Sequence, residues 1–178
     1  MPSLHPYAWT LLLLCLTGTA AVTDARRGLI PNWLTLPALA SFPLAQLTSA
    51  GPGGLRDACL GVVACSLVPL LLFRAGAMGG GDVKLFAAIG AWCGSSLGLE
   101  LQLVSYCLAA VFALCVLAYR GALLATLLRA LALLCGPLLP ARLRATAQPE
   151  QPMQVRLGVA IFAATLLLIG PAMLGAQP

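Results

Sequence analysis

Charge is scarce in this chain. Of its 178 residues only 8% are Asp, Glu, Lys or Arg, with 5 acids against 10 bases, and one histidine, His5. Soluble domains average roughly 25% charged residues. A polypeptide that is 61% hydrophobic has too few polar groups to cover itself in water, which excludes a free-standing soluble domain. The net charge of +5 is not a nucleic-acid signature. The bases stand singly or in pairs between apolar runs, where such residues set orientation across a bilayer. The 7 cysteines all lie in apolar runs with no CxxC spacing, so neither a zinc site nor any other metal or cofactor is expected. They read as small buried hydrophobes.

What the chain has in quantity is apolar length. A spanning helix needs about 20 mostly apolar residues. Such runs are expected as helices over about 7–22, 33–49, 58–73, 82 or 83 to 93–96, 101–119 and 157–174. The expected class is therefore all-α: a polytopic integral membrane protein of about six spans, with residues 1–178 as one membrane-embedded domain. Basic residues collect on one side of these runs, at Arg26, Arg27, Arg74 and Arg120. By the positive-inside bias that side is cytoplasmic and the N-terminus lies outside. The run Leu11–Leu16 followed by Thr19-Ala20-Ala21 has features of a signal peptide. No Lys or Arg precedes it and two arginines follow it, an order that favours an uncleaved helix. Residues 121–140 are apolar but carry Arg129, and the same bias favours an interfacial or re-entrant placement over a span.

With so few acids, the place of each one matters. On this topology Asp24 and Asp82 both fall at cytoplasmic helix ends. Asp57 and Glu100 fall outside, and Glu150 lies in a loop. A carboxylate at the edge of a membrane segment is costly and marks a candidate functional site. Two such groups sharing a site can hydrolyse a peptide bond, one taking a proton from water while the other gives one to the carbonyl oxygen. The pair titrates as a unit. The helix dipole favours charge at the start of a helix and disfavours it at the end. That contrast makes Asp82 the expected base and Asp24 the expected donor.

The flanking residues have readings of their own. Asp82 follows Gly79-Gly80-Gly81, which fits close approach of a substrate backbone as well as a tight turn. Its ordinary structural role would be an N-cap. Pro31 stops any continuation of the first helix, and Asn32 is expected to cap the second. Lys84, two residues from Asp82, is off that carboxylate's face and is expected to reach lipid headgroups.

Gly79-Gly80-Gly81-Asp82 resembles the GxGD motif of intramembrane aspartyl proteases. With Met78 before it and Val83-Lys84-Leu85 after it, the stretch is similar to the form found in prepilin peptidases, the type IV leader peptidase family. Asp24, Arg26, Ile30, Pro31 and Asn32 are similar to that family's D-x-R-x-x-x-I-P-N stretch. The resemblance covers about residues 8–120. It implies that Asp24 and Asp82 are the catalytic pair, supported by Gly79, Gly80, Gly81, Lys84, Arg26, Pro31 and Asn32. It also implies a pilin-like precursor as substrate, its leader cut at the cytoplasmic face of a bacterial inner membrane. Larger relatives carry a cysteine-paired insertion and methylate the cleaved pilin. This chain has neither insertion nor CxxC, and it resembles the short peptidase-only branch associated with tight-adherence (Flp) pili. Relatives often begin the last span with Pro-Tyr-Gly, where this chain has Arg156-Leu157-Gly158.

Two other functions fit the same composition. One is a non-catalytic membrane assembly factor, and the other is a small transporter using the carboxylates as a proton relay. Asn in place of either Asp separates them: a peptidase loses cleavage, an assembly factor keeps it, and a transporter shows proton-coupled flux.

Overall fold

A computed structural model describes residues 6–121 and 156–173, and every described element is helical. There are four described helices: α1 Pro6–Arg27, α2 Asn32–Arg74, α3 Gly80–Tyr119 and α4 Leu157–Met173. The described residues fall into two compact units. One holds the chain up to Leu108 together with the last helix from Arg156, and the other begins at Ala109. Everything that follows concerns the first. The expected segment 121–140 lies outside the described residues, apart from Gly121.

Two of the helices are longer than any bilayer needs. At 1.5 Å per residue the 43 residues of α2 would reach roughly 64 Å if straight, about twice a hydrocarbon core. They are not straight. Gly51 (φ 70°, ψ −157°) breaks α2, and Gly94 (φ 76°, ψ −178°) breaks α3. Positive φ is a conformation that glycine adopts at little cost. The contacts show that each break reverses the chain. Gln46 donates from Nε2 to the Trp92 carbonyl oxygen at 2.8 Å, while Gly61, on the far side of Gly51, lies against Gly90. Phe86 and Tyr106, on either side of Gly94, stack at 5.5 Å. A straight helix would hold those rings about 30 Å apart. The described helices therefore comprise six arms.

The reversals are tighter than the expected turns. The sequence leaves residues 50–57 between two expected helices, but within α2 Gly51 alone is non-helical. Proline is favoured at the first position of a helix, so Pro52 starts the next arm. α1 also runs past its expected end near Val22, to Arg27. Ala and Arg are strong helix formers, and the first residue to stop the helix is Gly28, at φ 65°. Its N–H returns to the Asp24 carbonyl oxygen at 2.8 Å, as a left-handed C-terminal glycine does.

The arm that begins at Gly80 is the centre of the bundle. Every residue from Leu85 to Trp92 is buried, the mark of a helix surrounded on all sides. Leu13, Leu16 and Ala20 of α1, Ala38 and Phe42 of α2, Leu101 of α3 and Ile161 and Ala164 of α4 belong to the same core. The outward faces are apolar: Val63 is 64% exposed, Leu103 64% and Leu167 60%. Contiguous apolar surface is rare on soluble monomers. With two helices long and apolar enough to cross a membrane, these exposed apolar residues fit a membrane protein.

Gly61 and Gly90 let α2 and α3 cross with backbones in contact. A methyl group on either would strike the carbonyl group of the other. Gly90→Ala or Gly61→Ala is expected to cost about 1–3 kcal/mol or more, the penalty for overpacking where only backbone can move. Thermal unfolding in detergent measures it, with Gly53→Ala, which meets nothing within 4 Å, as the control.

Candidate active site

Asp24 lies in the last turn of α1 and Asp82 in the first turn of α3. The loop between α1 and α2 brings those two ends together. Its Ile30 is buried and packs on Gly81, where a Cβ would come within 2.9 Å of the Ile30 Cβ and 3.0 Å of its carbonyl oxygen. Only glycine fits there, so the third glycine of the run has a packing reason: it seats the loop from Asp24 against the residue preceding Asp82. The two carboxylates are within electrostatic reach of each other. Asp24 is buried and Asp82 half-buried.

The other described acids, Asp57 and Glu100, stand apart from the pair. Asp57 lines a polar cavity with Gln46, Trp92, Ser95 and Ser96, at the Gly94 end of the central arm and away from Asp82. That cavity contains neither member of the pair. Glu100 is exposed just beyond the same break.

Asp24 is held by Gly158, in the first turn of α4, and by Arg156, just before it. Its Oδ2 accepts the backbone N–H of Gly158 at 2.8 Å. Its carbonyl oxygen accepts from Arg156 Nη1 at 2.7 Å, and the same nitrogen donates to the Ala25 carbonyl oxygen. Gly158 also has no room to spare, since a Cβ there would stand 2.9 Å from the Asp24 Cβ and 3.0 Å from its Oδ2. The Gly158 N–H fixes Oδ2 and with it the orientation of the carboxylate. Neither Arg156 nor Gly158 was among the expected site residues. A backbone donor carries no residue-type signal, and the sequence clue was only a glycine at the start of the last apolar run. These two residues account for the Arg156-Leu157-Gly158 segment: it clamps the end of α1.

Asp82 is held by its own turn. α3 begins at Gly80, two residues before the expected start, so Asp82 is not its N-cap. The Asp82 N–H donates to the Gly79 carbonyl oxygen at 3.2 Å. In return its carboxylate accepts from the Gly79 backbone, as the third residue of a helix does in a capping box. Gly80 sits against the Phe73 ring, 3.4 Å from where a Cβ would stand. Because Asp24 has the Gly158 donor and Asp82 the Gly79 donor, helix-end position alone no longer assigns base and acid.

The remaining expected residues divide. Asn32 does not cap α2: Pro31 occupies the cap position, with no side-chain cap bond. The Asn32 Oδ1 instead accepts from Lys84 Nζ at 2.8 Å, so Lys84 ties the start of α2 to α3 rather than reaching headgroups. A cation is the better donor, and it takes the oxygen that would have capped the helix. The Pro31 carbonyl oxygen accepts from Leu34 N at 3.1 Å. Arg26 is exposed in the last turn of α1 and takes no part in the bonds of the site. Asn32→Ala is expected to cost about 1 kcal/mol of stability or less, the scale of one exposed hydrogen bond. It should leave substrate cleavage nearly unchanged in a kinetic assay.

Among the described residues no group of three or more His, Cys, Asp or Glu side chains could hold a metal ion. The sequence pattern of the type IV leader peptidase family matches residues 11–114. No curated protein and no solved structure matches the chain.

Proposed function

Because the chain belongs to the type IV leader peptidase family, we propose that it is a membrane aspartyl endopeptidase in which Asp24 and Asp82 activate one water. The substrate is a type IV pilin-like precursor of the Flp kind, cut between its leader and its apolar helix. The enzyme is a multi-pass protein of the bacterial inner membrane, its six arms crossing the bilayer with the N-terminus outside and the aspartates at the cytoplasmic face. The single observation that supports this reading best is the convergence of two remote carboxylates at one end of the bundle, within reach of each other's charge. The other described acids stand at the opposite end.

The chemistry follows from two carboxyl groups sharing one proton. The ionised member takes a proton from the water as its oxygen bonds to the scissile carbonyl carbon. The protonated member gives its proton to the carbonyl oxygen, leaving a neutral gem-diol. Collapse of the gem-diol breaks the C–N bond: one of its hydroxyls gives its proton to the ionised carboxylate while the leaving amine nitrogen takes the proton of the other carboxyl group. The leader then ends in a new carboxyl group, the mature pilin begins with a free amine, and the pair again holds one proton. Gly79 is exposed and carries no side chain beside Asp82, which leaves room for a substrate backbone to approach.

Co-expression with a pilin-like precursor tests the reading. Wild type is expected to convert it to mature size, with a new N-terminus at the leader boundary. A precursor that stays full length beside well-folded wild-type protein would contradict it.

A further inference from the structure

The two-aspartate chemistry makes no use of the cations at the catalytic end of the bundle. Arg26 and Arg27 stand in the last turn of α1, directly after Asp24, and Arg74 ends α2. Lys84 follows Asp82 in α3, and Arg156 precedes α4. Among the described residues no acid stands at that end except the pair itself, because Asp57 and Glu100 lie by the Gly94 break. A pair that shares one proton carries one negative charge, so the five cations leave this end strongly positive.

Three of the five are fixed beside the site. Arg156 gives Nη1 to the carbonyl oxygens of Asp24 and Ala25. Lys84 gives one N–H to Asn32 Oδ1 at 2.8 Å and has two more to give. Arg74 is fixed through its backbone. The Gly76 N–H donates to the Phe73 carbonyl oxygen at 3.0 Å and the Ala77 N–H to that of Leu72 at 2.9 Å, with Gly76 at φ 73°. That double closure is a Schellman cap. The Phe73 ring lies on Gly80, so Arg74 stands next to the glycine run and its exposed Gly79. Orientation across the bilayer needs only cations on the inner side. It does not need them held around one pair of carboxylates.

We propose that this cationic rim selects precursors whose leader carries Asp or Glu side chains close to the scissile bond. The proposal rests on the peptidase reading and narrows its substrate class. Its basis is charge complementarity. The mature part of such a precursor begins with an apolar helix, so the leader is the part that lies at the level of the cations. Charges interact there across roughly 10 Å before salt screens them. The same field that attracts an acidic leader repels a basic one. These contacts touch the leader and not the reacting atoms. They are alike in the bound substrate and in the transition state, so they act on KM and leave kcat alone.

The test uses the full chain in phosphatidylcholine vesicles and three pilin-like precursors that differ only in the leader. Next to the scissile bond one has a pair of Glu, one a pair of Gln and one a pair of Lys. KM is expected to rise from Glu to Gln to Lys, about fivefold at each step, the worth of two weak exposed ion pairs. The three kcat values are expected to be equal, and about 0.5 M salt is expected to erase the order. Arg74→Glu is expected to raise KM for the Glu leader and lower it for the Lys leader. A purely structural arginine would not move the two in opposite directions. Equal KM values at low salt, the reverse order, or an order that survives salt would overturn the proposal and leave the peptidase standing. So would cleavage that ignores the leader and rises only when phosphatidylglycerol is added, which would assign the cations to lipid headgroups. Failure of wild type to cleave any of the three would overturn the peptidase reading as well.

Discussion

Asp24→Asn and Asp82→Asn, made singly, are each expected to lower leader cleavage by at least about 10³-fold, within the range of positioned acid–base groups. The reason is that neither carboxylate can do both jobs. With one replaced by an amide, the survivor can take a proton from water but has no partner to protonate the carbonyl oxygen, or the reverse. The double variant is then expected to be no slower than either single one, because residues that act as a unit do not add. Both variants should keep the fold, since an amide oxygen still accepts the Gly158 N–H on Asp24 and the Gly79 backbone on Asp82. Full-length precursor accumulating beside normal amounts of folded enzyme is the readout. Asp57→Asn, at the cavity beside Gly94, is the matched control and is expected to cleave normally.

The second large effect is expected at Gly158, a residue that performs no chemistry. Gly158→Ala would place a methyl group 2.9 Å from the Asp24 Cβ and 3.0 Å from its Oδ2. The nearest atom is the Asp24 Cβ, which a turn of the side chain does not move, and the Ala20 carbonyl oxygen stands at 3.3 Å. α4 therefore moves off α1, which lengthens the bond from the Gly158 N–H. Displacing a reacting group by about 1 Å can cost 10²-fold in rate, and that is the fall in kcat expected here. Gly170, on the same helix, meets nothing within 4 Å, so Gly170→Ala is expected to leave cleavage unchanged. Comparing kcat of the two variants in one membrane preparation separates the clamp on Asp24 from any general effect of alanine in α4.

The parts of this site legible in the sequence were those written in scarce residues. Five acids in 178 residues make each one informative, and charge counting placed Asp24 and Asp82 at one end with Asp57 and Glu100 at the other. The helical class and the order of the arms followed from apolar length. What stayed hidden was carried by groups that every residue has. The Gly158 N–H, 134 residues from Asp24, looks like any other amide in a sequence. The Arg156 contacts are to carbonyl oxygens, which are equally anonymous. Asn32 was misread because its capping preference is local, and a distant cation, Lys84, took its oxygen. The end of α1 was misread because the arginine pair suggested a loop, whereas helix propensity carried α1 on to Gly28.

The most direct test of the central claim asks whether the two acidic positions meet. In a chain with all 7 native cysteines replaced, Asp24→Cys and Asp82→Cys are introduced together and treated in membranes with a short bifunctional thiol reagent. Intact mass is expected to show a single reagent bridging both sulfurs within one chain. Two separate single-ended adducts, with the chain folded and both thiols reactive, would contradict a shared site.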